Sequence, residues 1–186
     1  MKKQLSLVLV FVVLFMGFSG CIFKGSDNSN NSSDGPAIPV ESVSELVVIK
    51  NIPADFEYLG TKPVTADAVS KEYAQAENVV EAAEGIYKSP SLDYYLTVIE
   101  FADAMSAESF LTNYKGTFNV LQNNDTLQNI ELTGHEATRS MSYSIIGGKQ
   151  VPRYKYFWNN DSLVFIIGGN SEDPAVGLNF AKATGY

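Results

Sequence analysis

Ala137-Thr138-Arg139-Ser140-Met141-Ser142-Tyr143-Ser144-Ile145 alternates between two kinds of side chain. Ala137, Met141, Tyr143 and Ile145 share one parity, while Thr138, Ser140, Ser142 and Ser144 share the other. Side chains two apart on an extended chain point the same way, so this is a half-buried strand with a polar outer face. Gly147-Gly148 ends it in a turn. Arg153 to Trp158 and Leu163 to Ile167 then flank Asn159-Asn160-Asp161-Ser162, the composition of a hairpin. Three consecutive antiparallel strands follow, and they decide for an antiparallel sheet.

Working back toward the N-terminus, Ile130 and Leu132 have the opposite parity to Met141 and Tyr143. A bulge or bend at Gly134-His135 is expected to bring them to the same face. Tyr94 to Phe101 is rich in aromatic and β-branched residues and reads as another strand. Val79 to Lys88 pairs with it through Ser89-Pro90-Ser91-Leu92-Asp93, although Ala82-Ala83-Glu84 also suits a helix. Three helices are expected. Thr65 caps one carrying Val69, Tyr73 and Ala76; Ser106 caps one stacking Phe110, Tyr114 and Phe118; Asp173-Pro174 opens one carrying Val176, Leu178 and Ala181. The fold class is α+β, an antiparallel sheet of about five to six strands with helices packed on one face.

The other end of the chain is different in kind. Lys2 and Lys3 precede an apolar run from Leu5 to Phe18, closed by Phe18-Ser19-Gly20-Cys21. A charged start, a short apolar core and small residues make an export signal. Cysteine directly after Ser-Gly resembles the lipobox of lipoproteins, where the thiol is acylated and becomes the first residue. Phe18 departs from that pattern, which commonly has Leu there. The alternative is an uncleaved signal anchor: Leu5 to Phe18 spans roughly 21 Å as a helix, short of about 30 Å of hydrocarbon, but extension through Ile22 and Phe23 brings it to roughly 28 Å. The chain divides into a signal peptide or anchor at 1–20, a tether at 21–40 and one domain at 41–186. Both alternatives place that domain outside the cytoplasm and attached to the membrane.

The tether, rich in Ser, Asn and Asp, has too little apolar surface to offset the entropy of ordering. Asn30, Asn31, Asn124 and Asn160 each begin a glycosylation acceptor triplet. Cys21 is the single cysteine, so the domain has no thiol nucleophile, disulfide or cysteine metal ligand. Without Lys2 and Lys3, 11 basic residues face 21 acidic ones. Such a surface repels nucleic acid.

Ala83-Glu84-Gly85-Ile86-Tyr87, Gly134-His135-Glu136-Ala137-Thr138, Tyr156-Phe157-Trp158-Asn159-Asn160 and the ending Ala181-Lys182-Ala183-Thr184-Gly185-Tyr186 resemble segments of uncharacterised small lipoproteins from methanogenic archaea. The likeness covers most of the domain after about Val47 and implies no activity or site residue. The order of elements also resembles the PsbP-like α+β fold.

Motifs for chemistry are sparse. His135 is the sole histidine, and Gly134-His135-Glu136 offers no triad or metal spacing. Asp125 with Asn123-Asn124 lacks the alternating ligands of a calcium loop. Glu77, Glu81 and Glu84 read as a solvated face. Gly168-Gly169 lacks the Gly-Lys-Ser/Thr of a phosphate loop, and Glu172 and Asp173 occupy the anion's place. Tyr154, Tyr156 and Trp158 line one strand face, with Arg153, Lys155 and Phe157 on the other. Those three rings either contact a ligand or partner, or fill the core. Arg139 shares the parity of Met141 and either holds an anion or reaches solvent at the strand end. No cofactor or metal is implied. The expectation is a membrane-anchored, non-catalytic binding or accessory module, whose partner is the membrane and an envelope protein. The alternative is a hydrolase-like enzyme with an unrecognised site.

Overall fold

The meander that starts at Ala137 is present and extends further at both ends. The computed structural model describes residues 42–118 and 126–186. The described residues belong to one compact unit, and residues 1–34 lie outside them. The described residues form seven strands and four helices in the order α1 (Val43–Leu46), β1 (Glu57–Pro63), α2 (Ala66–Glu72), β2 (Val79–Lys88), β3 (Asp93–Phe101), α3 (Ala104–Gly116), β4 (Leu127–Leu132), β5 (His135–Ile146), β6 (Lys149–Asn160), β7 (Leu163–Gly169) and α4 (Pro174–Ala183). All strands join one antiparallel sheet in the order β1-β2-β3-β7-β6-β5-β4. The fold is therefore α+β.

Two expectations need correction here. The sheet has seven strands, not five or six, because β1 carries no clean alternation to announce it. Helices also pack on both faces rather than one. On the first face, α1 and α4 cover Tyr94, Leu96, Val98, Tyr156, Trp158, Phe165 and Ile167. On the second, α2 and α3 cover Ile99, Phe101, Phe157, Val164 and Ile166. Consecutive residues of β3, β6 and β7 are apolar, so either parity exposes a surface that must be buried. The half-polar alternation of β5 belongs to a strand nearer the edge and does not represent the centre of the sheet. All residues of both clusters lie between Val43 and Tyr186.

The parity change near Gly134 arises from chain reversal, without a bulge. Thr133 and Gly134 form a two-residue hairpin loop at φ 47° and 89°, so Leu132 pairs with His135 and Ile130 with Ala137. Gly147-Gly148, at φ 57° and 78°, makes the same turn between β5 and β6. Residues 82–84, readable either way, are strand.

Two of the three helix starts are as expected. Thr65 caps α2 by accepting from the Ala68 N–H, and Asp173 caps α4 by accepting from the Ala175 N–H, with proline next. The third is displaced: Asp103 caps α3, and Ser106 donates its backbone N–H to that carboxylate at 2.7 Å. Two contacts fix helices to the first face. The Tyr87 hydroxyl accepts from the Ile49 N–H at 2.9 Å and donates to the Val47 carbonyl, holding the segment after α1. Tyr156 donates to the Pro174 carbonyl at 2.6 Å, and Gly177 lets α4 approach its ring: a Cβ there would lie 2.6 Å from Tyr156 Cε2.

Candidate functional site

The second face is covered only along part of its length. Along each strand the apolar residues give way toward the same end: Ala82 to Glu84, Ile99 to Thr97 to Tyr95, Phe157 to Lys155 to Arg153, and Ile166 to Gly168. The register sets Glu84 and Thr97 beside Ile166 and Phe157, and Tyr95, Gly168 and Lys155 one pair further along. β5 adds Ser142 and Ser144, and β1 adds Lys62. Where α2 and α3 stop covering the sheet, a groove of about 610 Å³ remains, walled by the end of α2 with Glu72 and Tyr73.

Lys155 lies at the floor of this groove. Its stem runs over Gly168, where a Cβ would stand 3.2 Å from Lys155 Cγ. Its ammonium sits 5.4 Å from the centre of the Tyr73 ring and donates to the Tyr114 hydroxyl at 3.4 Å. Among the described residues no carboxylate lies within ion-pair distance of it. Burial lowers its pKa, and exposed Glu72 opposes that effect only in part. The neighbouring phenols are firmly protonated: burial raises the pKa of Tyr73 and of Tyr114, and Tyr73 is hydrogen-bonded to Thr97 at 2.9 Å. By contrast, Lys62 pairs with Glu84 at 2.9 Å, and that hydrogen bond and charge raise its pKa. Two cations on the groove, Lys155 and Arg153, make no ion pair among the described residues and lie beside the hydroxyls of Ser142 and Ser144, while Glu72 and Asp93 also line the groove. That arrangement suits an anionic group on a small polar ligand.

The residues singled out by sequence lie elsewhere. Tyr156 and Trp158 are each 1% exposed in the first-face core, and Trp158 stacks on Phe165 at 5.2 Å. They offer no ring to a ligand, so their contact reading is corrected: at Tyr156 and Trp158 the first face of β6 is roofed by α4 and the segment after α1. Tyr154 is half-buried on the same face, with the Arg139 guanidinium 5.6 Å from its ring centre. Arg139 also donates to Gln128 Oε1, and its Nε is buried with no hydrogen-bond partner among the described residues. His135 begins β5, on the opposite face from Ser142 and seven residues away, so it does not reach the groove.

Asn160 closes β6 at the turn into β7, where Asp161 takes φ 53°. Glu81 and Glu84 point to opposite faces of β2, so no acidic helical face forms. Gly168-Gly169 belongs to β7. Cys21, Asn30, Asn31, Asn124 and the Asn123–Asp125 segment lie outside the described residues. Among those described, no three His, Cys, Asp or Glu gather as a metal site, and no helix is long and apolar enough to cross a membrane.

The groove was not legible in the sequence because it takes residues from β1, α2, β2, β3, β5, β6 and β7. One signal was available: Lys155 follows Arg153 at strand spacing, on the face opposite the aromatic row. No protein-family model and no curated protein matches the chain.

Proposed function

We propose that this chain is an extracytoplasmic lipoprotein, held by acylated Cys21 through the tether at 21–40, and that its domain is a non-catalytic binding module for a small anionic ligand. The segments resembling small archaeal lipoproteins support the same anchor. One observation carries the binding reading: Lys155 keeps its ammonium half-buried on a groove floor, against two phenols and without a carboxylate partner among the described residues. A buried cation costs desolvation, and a ligand anion would offset that cost.

The test is calorimetric titration of the chain from Ile22 onward with small carboxylates and organic phosphates, the domain's melting temperature being followed in parallel. Binding should weaken about ten- to a hundredfold in Lys155→Gln, the range for a charge-assisted hydrogen bond. If none of these anions binds, or Lys155→Gln binds them as well, the groove reading is wrong. The anchor is tested separately, by the mass of the N-terminal peptide of the native protein. A diacylglyceryl-modified Cys21 is expected there; an unmodified, uncleaved leader would exclude it.

A further inference from the structure

The β5–β6 hairpin is longer than the sheet that supports it. Among the described residues, β4 pairs with β5 as far as Ser140, with one further bond from the Met141 N–H to the Thr126 carbonyl at 2.8 Å, and β7 pairs with β6 from Lys155 onward. Among the described residues, 142–146 and 149–153 therefore pair only with each other, a two-stranded ribbon about 17 Å long. An isolated ribbon of this kind is marginal in water. This one nevertheless carries a stripe of Met141, Tyr143 and Ile145 with Pro152 and Tyr154 opposite, and Ile146 stands at the turn. Tyr143, Ile145 and Ile146 are 47%, 68% and 53% exposed, and no helix or loop among the described residues covers them.

The charge is as uneven as the polarity. From Ala137 to Asn160 there are four cations, Arg139, Lys149, Arg153 and Lys155, and no carboxylate. Of the 11 basic residues after Cys21, 7 remain elsewhere, against all 21 acidic ones. Thus the apolar projection itself carries Lys149 and Arg153 and no carboxylate, in a strongly acidic domain. An acidic body is repelled by anionic headgroups, and that repulsion orients the hairpin toward such a surface.

We infer that the hairpin tip docks into a lipid bilayer bearing anionic headgroups, with Ile145 and Ile146 below the headgroups, Tyr143 at their level and Lys149 reaching up to them. Tyrosine favours that boundary, and a lysine stem can lie along apolar surface while its charge stays in water. The inference rests on the membrane location proposed above. A tether of about 20 residues reaches at most roughly 70 Å, so the domain stays close to the bilayer even when the tip is free. The acyl group supplies attachment, and the hairpin supplies orientation.

The test uses the chain from Ile22 onward, lacking the apolar leader and Cys21, with sedimented vesicles of phosphatidylcholine alone or mixed with phosphatidylglycerol. Binding to the mixed vesicles is expected, weakening as salt rises. Ile145→Ser with Ile146→Ser should lower it about tenfold or more, and Lys149→Glu by a similar factor, each with an unchanged circular dichroism spectrum. Binding unaffected by either variant overturns the inference, as does absence of binding to both vesicle types. So does a dimer of the native sequence that the isoleucine variant dissociates, which would make a second copy the occupant. Failure here with an acylated Cys21 removes only the docking. Tip-dependent binding together with an unacylated native leader removes the anchor and leaves the docking standing.

Discussion

At the scale of single residues, Lys155 places function and stability in opposition. Its folded-state pKa is depressed by burial, so the unfolded chain holds that proton more tightly. Below both pKa values the charge therefore costs stability, and the cost fades as pH rises through the folded value toward the ordinary 10.5. Lys155→Met should stabilise the domain at neutral pH by a few tenths to about 1 kcal/mol, a gain that shrinks toward pH 10.5 while anion binding is lost throughout. Urea titrations at several pH values measure the first effect and calorimetry the second. A lysine that merely braces the fold would lose stability on substitution.

Tyr87 makes the converse case. Burial raises its pKa to about 12, so the stability tied to its neutral form is complete below pH 10 and declines above it. Tyr87→Phe should cost about 1–3 kcal/mol at neutral pH, because the Ile49 N–H and the Val47 carbonyl lose their shared partner. It should also flatten part of the alkaline decline. Neither role was readable from sequence. Lys155 and Tyr87 sit among ordinary alternating strand residues, and what distinguishes them is contributed by α2, α3 and the segment after α1.

At the scale of elements, turn chemistry and close packing give the sharper expectations. Thr133 is β-branched yet occupies the left-handed region at φ 47°. Thr133→Asn should stabilise the β4–β5 hairpin by about 1 kcal/mol, since Asn-Gly suits this turn far better. Gly177→Ala should act in the opposite sense. The added methyl would push α4 off the Tyr156 ring and cost about 1–3 kcal/mol, visible as a lowered melting temperature. Strands β3 and β7 were legible because their apolar runs are bounded by turn residues and β5 because its alternation is clean, whereas Ala82-Ala83-Glu84 left β2 open between strand and helix. The caps of α2 and α4 were legible because Thr and Asp-Pro are strong local signals. The ends of β5 and β6 were not, for strand pairing carried both beyond the alternating core of the meander.

At the scale of the whole molecule, one sheet serves two cores. Trp158, the only tryptophan, reports the first face, whereas Phe110 belongs to the second. Because β3, β6 and β7 line both, the two should unfold together. Phe110→Ala should cost about 3–5 kcal/mol. It should shift the Trp158 fluorescence transition and the circular dichroism transition by the same amount, and separate midpoints would show the faces to be independent. Helices on both sides escaped the sequence reading, because the strand with the clearest pattern lies near the edge of the sheet.

The strand order has a consequence for how the protein is made. β1 to β3 come from the first half of the domain and β4 to β6 from the second, and β7, which lies between β3 and β6, is almost the last segment of the chain. Until Leu163–Gly169 has emerged from the ribosome or a translocation pore, the polypeptide can hold only two unjoined three-stranded pieces, each with a bare edge. Completion of the sheet thus waits for nearly the whole chain. A stop codon shortly before residue 163 would leave two sticky halves prone to aggregate, where the same loss at an outer strand would leave a frayed but continuous sheet.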